Sequence, residues 1–585
     1  MPTAPAKSRC STDSLNLTAI FLLKHARLYN ISVKDQHTVP GKTAISVEEK
    51  IGEIFPYEGD IPEGFRLKEP VEQDEYLIDG RLRIWRGAMQ EVLSPIFVRG
   101  PGGISQKAIG RYPLLTEREA LEALDSAVAA YNNGRGIWPM MPVVDRIRHI
   151  EEFAARVRDK KREMVHLIMW EIGKSYQESE KEFDRAISYV GNTVNELKNL
   201  DLVSSRLMAE QGIIGQMRRS PLGVVLCMGP FNYPLNETFS TLIPALLMGN
   251  TVIFKPPKLG VLLHYPLLDI FRKSFPPGVI NTVYGDGMRI ITPLITSGKI
   301  DVLAFIGSSK VADMLKNQHP KRHRLRSVLG LEAKNSGIVL ADADIESAVD
   351  ECVRGSLLFN GQRCTALKIL FVHTRVINRF LEKFVDGVDG LKVGMPWERD
   401  VTITPLPEPG KTEYLTELLE DARRHGAGII NREGGTVNRT LFYPAVVCPV
   451  NSEMRLYREE QFGPVVPVVP YDDIETPINY VIESSYGQQV SVFGNDAGTI
   501  AHLADVLVNQ VCRVNINTLC QRGPDVFPFA GRKDSGEGTL SVSDALRVFS
   551  IRTIVATKDV EGSREMLRRI IEERKSNFSS ADLVL

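Results

Sequence analysis

Leu222-Gly-Val-Val-Leu-Cys-Met228 decides the fold. It is a strand-sized apolar run without a polar face. Asn236 to Met248 follows with helical periodicity and stops at Gly249. Thr251-Val-Ile-Phe254 repeats the strand, Leu262 to Lys273 the helix, and Ile280 to Tyr284 the strand. A further helix, the strand Val302 to Ile306 and another helix complete the set. Strands apolar on both faces need cover on both, and the alternating helices supply it. The pattern predicts an α/β fold built on a doubly wound parallel sheet. The dinucleotide fingerprint GxGxxG is missing, because Gly285-Asp-Gly287 lacks a third glycine at the required place.

Upstream, Glu75-Tyr-Leu-Ile-Asp-Gly-Arg-Leu-Arg-Ile-Trp85 reads as strand, turn and strand, with Asp79-Gly80 as the hairpin signal. Thr116-Glu-Arg-Glu119 is a capping box, and Ala120, Leu124, Ala127, Val128 and Tyr131 recur at helical spacing behind it. Two more helices are expected over Val144 to Lys161 and Arg162 to Leu200, then a polar, Gly-containing connector over Leu202 to Arg219. After Leu340 a second alternating block runs to about Gln510. Val560 to Lys575 is charged with a helical pattern, as on a solvated surface helix. Residues 1–74 read as an N-terminal extension, with a loop-like mixture of acids, prolines and glycines over Glu49 to Glu69.

The 585 residues exceed one ordinary core, so two or three domains are expected. Hydrophobic content is 43% and net charge is −1, which speaks against nucleic acid or an acidic membrane surface as the main partner. No apolar run reaches membrane-spanning length. The seven cysteines are scattered without CxxC pairs, so no metal site is expected, and free thiols in a reducing, cytoplasmic compartment are. Lys7, Arg9, Lys24 and Arg27 against Asp13 are compatible with a leader, but Leu17 to Leu23 is short and broken by Thr18.

The chemistry centres on Phe359-Asn-Gly-Gln-Arg-Cys-Thr-Ala366. Cys364 follows small and polar residues and Arg363. A thiol becomes a nucleophile when partly ionised, which nearby cations promote. Asn232, in Gly229-Pro-Phe-Asn-Tyr-Pro234, directly follows a buried strand, where an amide can donate to an oxyanion. Gly307-Ser308 opens a helix after a strand, a position that favours phosphate. Taken singly, a cysteine is usually a small core residue and a Glu459-Glu460 pair a solvated face.

Together these motifs resemble the aldehyde dehydrogenase superfamily over residues 75 to 555. The likeness is greatest to its non-phosphorylating, NADP-dependent glyceraldehyde-3-phosphate dehydrogenases. The resemblance implies a Rossmann-like NADP-binding domain (75–201 and 221–332), an α/β catalytic domain (333–549) and a small β oligomerisation arm (202–220 and 550–560). A tail over 561–585 and a homodimer or homotetramer complete the expectation. It implies Cys364 as nucleophile, with Asn232 and the Cys364 backbone N–H holding the oxyanion. Lys255 would bond the adenosine ribose hydroxyls. Lys258 stands where NAD-preferring relatives often carry a glutamate, and a lysine there attracts a 2′-phosphate. Gly307 and Ser308 would form the pyrophosphate turn, Glu460 would bond the nicotinamide ribose, and Phe462 would flank the ring. Arg185, Tyr233, Arg363 and Arg522 would hold a substrate phosphate, which three guanidiniums suit. The implied reaction oxidises D-glyceraldehyde 3-phosphate to 3-phosphoglycerate through a thiohemiacetal and thioester.

One position departs. The family's deacylating glutamate falls on Gly330, within Ser327-Val-Leu-Gly-Leu-Glu-Ala-Lys-Asn335, and Glu332 is displaced by two residues. In extended chain, residues two apart share a face, so Glu332 either approaches the thioester as the substitute base or has become structural. CoA-acylating semialdehyde dehydrogenases also lack that glutamate and carry a similar Ala-Lys-Asn stretch, which makes CoA the rival acceptor. A third alternative is a catalytically inactive scaffold, against which Cys364, Asn232, Lys255 and Glu460 stand together.

Overall fold

A computed structural model describes residues 54–204 and 206–579. The chain divides at residues 51 and 52, and all described residues belong to the second unit. Cys10 and the basic N-terminal stretch lie outside the described residues.

The first large sheet has five parallel strands in the spatial order Ile280–Thr282, Thr251–Lys255, Val224–Met228, Val302–Ile306 and Arg326–Gly330. Gly536–Glu537 adds an antiparallel edge from far along the chain. The strand earliest in sequence lies in the middle, so the order reverses beside it. Ligands of open α/β sheets bind outside the carboxyl ends at such a switch. Asn232, Lys255, Gly307 and Glu332 all follow or end these strands.

The second sheet runs Gly428–Ile429, Ala445–Cys448, Val465–Tyr471, Ile369–His373, Ser336–Val339, Gln489–Phe493 and Arg513–Ile516. All its pairings are parallel except the first. Leu331 to Asn335 joins the carboxyl end of one sheet to the amino end of the other. Cys364 and Glu460 precede strands of the second sheet, so both lie on the side facing the first sheet's carboxyl ends.

Asp79 and Gly80 make a two-residue hairpin between Glu75–Ile78 and Arg81–Ile84, both at positive φ (54° and 67°). After the single turn Ile137–Met140, three longer helices, not two, follow the first: Val143–Arg158, Lys161–Ile172 and Tyr176–Ser204. Gly173 ends the middle one at φ 67°, a left-handed cap that a side chain resists. The expected connector holds Leu207–Glu210 and most of Ile213–Pro221, which pair antiparallel with each other, and Ile213–Pro221 pairs on its other edge with Ser550–Lys558. Residues 54–74 are not purely loop. Val71–Glu72 pairs with Gly103–Pro113, and buried Phe55 packs 5.5 Å from Phe97. The tail forms the helix Glu561–Glu572. Among the described residues no helix is long and apolar enough to cross a membrane, and all six cysteines are free.

Candidate active site

Three consecutive residues with left-handed backbone aim the nucleophile. Phe359, Asn360 and Gly361 have φ of 51°, 56° and 68°. Such conformations cost energy and persist where neighbours fix them. Asn360 supplies the fixing: its Oδ1 accepts from Thr404 N at 2.9 Å and its Nδ2 donates to Thr404 Oγ1 at 3.2 Å. Gly361 has no room for a side chain, since a Cβ would meet the carbonyls of Gly463 and Ser356 at 2.8 Å. Beyond the turn, the Cys364 carbonyl accepts from Asn335 Nδ2 at 2.7 Å and Lys368 Nζ at 3.2 Å.

Cys364 is half-buried, and Asn232 reaches its loop. Asn232 Nδ2 donates to the Gln362 carbonyl at 2.9 Å, two residues before the thiol. An amide nitrogen carries two hydrogens, and this bond uses one of them. Burial pushes the thiol above its usual range, and the Glu237 carboxylate adds to that; Lys368 and Arg522 pull it down.

Glu460 is held by Lys368, whose side chain is almost wholly buried, and accepts from Ala333 N at 3.2 Å. Phe462 lies edge-on to Phe231 with ring centres 5.9 Å apart. Lys334 donates to Gln461 Oε1 at 2.6 Å, and burial lowers its ammonium to about 7, with Lys368 pushing the same way. Lys334, Lys368, Gln461 and Asn335 thus tie the loops carrying Glu332, Cys364 and Glu460 into one network.

At the first sheet's carboxyl end, Lys255 donates to the Pro256 carbonyl at 3.2 Å. Burial pulls its ammonium down to about 8; Asp286 opposes the shift and exposed Lys258 adds to it. Gly307 donates to the Gly330 carbonyl at 3.0 Å, and Ser308 caps the helix Ser309–Gln318. Glu332 Oε2 accepts from Ser309 N at 2.8 Å. A carboxylate therefore occupies the first turn of this helix, where the dipole and open N–H groups favour an anion. Lys255 and Lys258 stand at the carboxyl end of this sheet, where positive charge suits a phosphate-bearing dinucleotide, while the helix start itself holds the Glu332 carboxylate. Glu332 is thus turned toward that helix. A Cβ at Gly330 would lie 3.3 Å from Leu540 Cδ1 and 3.4 Å from Ile306, tight against apolar side chains.

The arginines converge in part. Arg185 makes two bonds to Asp525, at 3.1 and 2.7 Å. Arg522 pairs with Glu237, lies 3.4 Å from Asp525 and donates to the Leu540 carbonyl at 3.1 Å. Arg363 instead donates to the carbonyls of Arg354 and Gly355, at 3.1 and 2.7 Å, inside the protein. Tyr233 lies edge-on to Phe359 at 6.0 Å, with Lys174 Nζ 3.6 Å above its ring centre.

Lys174, Glu182, Glu237, Lys368 and Asp525 are absent from the sequence-derived site. Lys174 and Glu182 form a wholly buried ion pair. Lys174 donates to the Asn232 carbonyl at 2.7 Å, while Glu182 Oε1 accepts from Leu235 N and Asn236 N at 3.0 and 3.2 Å. The pair staples the turn that carries Asn232. Glu182 and Arg185 lie on one helix at i and i+3, a spacing that would have linked their faces.

Residues 95–555 match the aldehyde dehydrogenase family. The NADP-dependent glyceraldehyde-3-phosphate dehydrogenase of Streptococcus equinus is 31% identical over 469 residues, 78% of this chain and 96% of that protein. A crystal structure of the NADP-dependent glyceraldehyde-3-phosphate dehydrogenase from Bacillus halodurans C-125 complexed with NADP is similar, with 29% identity and a TM-score of 0.76. The match covers 83% of this chain and all of that one. Lactaldehyde dehydrogenase from Escherichia coli matches with 25% identity and a TM-score of 0.76, over 84% of this chain and all of the other. With the match spanning both sheets and the loops that carry Asn232, Lys255 and Cys364, the chain belongs to the aldehyde dehydrogenase family.

Proposed function

We propose that this protein oxidises D-glyceraldehyde 3-phosphate to 3-phosphoglycerate with NADP. The observation that carries the reading is the placement of Asn232 against the Cys364 loop, supported by the likeness to NADP-dependent glyceraldehyde-3-phosphate dehydrogenases; Arg185 and Arg522 lie together nearby, each paired with a carboxylate. Cys364 Sγ attacks the aldehyde carbon, and Asn232 Nδ2 with the Cys364 N–H stabilises the oxyanion. NADP, when bound, supplies the hydride acceptor. Lys255 and Lys258 would meet its ribose and 2′-phosphate, Gly307 and Ser308 its pyrophosphate, and Glu460 and Phe462 its nicotinamide end. Arg185, Arg522 and Tyr233 would hold the substrate's far end; Arg363 supports its own loop.

A glutamate at residue 258 sets like charge against a 2′-phosphate and can accept from a ribose hydroxyl. Lys258→Glu is therefore expected to raise the Kd for NADP by about 100-fold while changing NAD by less than about threefold. Cofactor titration by fluorescence reads both values, and equal losses would refute the assignment of Lys258.

Release by CoA is the second reading, favoured by Gly330 and by Glu332 bonding Ser309. The test offers glyceraldehyde 3-phosphate and NADP with and without CoA. Acid release without CoA, slowed about 100-fold by Glu332→Gln, is expected if Glu332 swings to the thioester as base. Turnover that needs CoA and ignores Glu332→Gln reverses the ranking. We further propose a homodimer or homotetramer through the arm, where Leu207, Met208, Ile213 and Ile554 are exposed, and a cytoplasmic location.

A further inference from the structure

Glu237 sits on the first turn of the helix Asn236–Leu247, which opens directly from the Asn232 turn. Its carboxylate pairs with Arg522, and both side chains are more than nine-tenths buried. Asp525, equally buried, takes two bonds from Arg185 and approaches Arg522 at 3.4 Å. Two guanidiniums are thus balanced by two carboxylates within one wall. Aromatic surface closes round Arg522, with Phe529 4.7 Å and Tyr189 6.0 Å from its guanidinium carbon.

A phosphate dianion brought to Arg522 does not find a cationic clamp. It finds a neutral cluster and must take the guanidinium from Glu237. The displaced carboxylate then faces the dianion in a buried setting, where like charges are costly. Specificity can be built from such repulsion as well as from attraction. A neutral, hydroxyl-bearing tail leaves the pair intact and bonds to its outer edges.

We infer that Glu237 is a specificity-determining residue: it competes with the substrate's phosphate for Arg522 and shifts preference toward unphosphorylated hydroxyaldehydes. This rests on the reading that Arg185 and Arg522 face the substrate's far end. Asp525 does the same for Arg185, though its bidentate bond makes it the harder carboxylate to displace.

The test compares wild type with Glu237→Gln, which keeps the volume and an acceptor oxygen for Arg522. The ratio of kcat/KM for glyceraldehyde 3-phosphate over glyceraldehyde is expected to rise about tenfold. Inorganic phosphate, as competitive inhibitor of glyceraldehyde oxidation, is expected to bind about tenfold tighter. An unchanged or lower ratio with unaltered phosphate inhibition overturns the inference. If wild type leaves glyceraldehyde 3-phosphate untouched, the substrate reading fails, yet phosphate inhibition of glyceraldehyde oxidation still tests Glu237. If Glu237→Gln does not fold, Asp525→Asn, which loosens Arg185, must move both readouts the same way; failure to do so is equally fatal.

Discussion

Cys364→Ala is expected to lose aldehyde oxidation by a factor on the order of a million, the scale that follows removal of a catalytic nucleophile. Asn232 and the cofactor lysines remain, but without sulfur no covalent adduct forms and hydride has no tetrahedral carbon to leave. Cofactor binding, measured by titration, stays within about twofold, which separates lost chemistry from lost fold. The wild-type pH profile belongs to the same prediction. Burial and Glu237 hold the Cys364 thiol above its ordinary range. Protonated thiol is therefore the resting form at neutral pH. Since the thiolate attacks, kcat/KM rises with pH through and beyond the normal thiol range. Alkylation of Cys364 by iodoacetamide should follow the same limb. A profile that falls over that range would contradict the assignment, as would an active Cys364→Ala protein.

Lys174→Met should give the second largest effect, although Lys174 touches no reacting atom. Its ammonium bonds the Asn232 carbonyl and Glu182, and lies 3.6 and 4.3 Å from the ring centres of Tyr233 and Phe359. It therefore joins the oxyanion turn to the strained turn before the nucleophile. Removing one partner of a buried pair strands the other charge and costs about 3–5 kcal/mol of stability. The Glu182 carboxylate would still hold Leu235 N and Asn236 N but lose its counter-ion. In the folded fraction, Asn232 loses its anchor, and kcat should fall about 100-fold with KM for aldehyde changing less. Denaturant unfolding reads the stability and initial rates read the kcat and KM split. A destabilised protein with wild-type kcat would make Lys174 merely structural. The double variant Lys174→Met with Glu182→Leu should recover only part of the stability, since no charge is stranded but Leu235 N and Asn236 N lose their acceptor, and should not recover kcat.

Much of the scaffold could be read from short stretches. Apolar strands such as Leu222 to Met228 announce burial on both faces, so the parallel sheet follows from local composition. The hairpin at Asp79-Gly80 and the capping box at Thr116 are likewise local chemistry. Helix boundaries were less legible. Gly173 looks like any helical glycine until the Pro405 carbonyl is seen 2.3 Å from where its Cβ would stand. Taken on its residues alone, the 202–219 stretch read as a connector, and only the resemblance gave a β arm: Leu207–Glu210 is short and exposed, and the strand that pairs with Ile213–Pro221, Ser550–Lys558, lies far along the chain.

At the active site, the motif around Cys364 was enough to nominate it, and Asn232 was nominated by its motif and by its position after a strand, because a strand's end fixes where its next side chain projects. What each charged side chain is paired with was not legible. Arg185 meets Asp525 across 340 residues, and Arg522 meets Glu237 across two separate segments. Charge compensation acts through space over a few ångströms, and no periodicity along the chain encodes it. The same holds for Glu332, which local spacing aims at the thioester and packing turns onto Ser309 N. Local residue order thus set the elements and singled out Cys364, through backbone preferences, burial of neighbouring side chains and the motif around the thiol. Only the folded chain decided which cations stay available to a ligand, since that depends on which distant carboxylates are brought beside them.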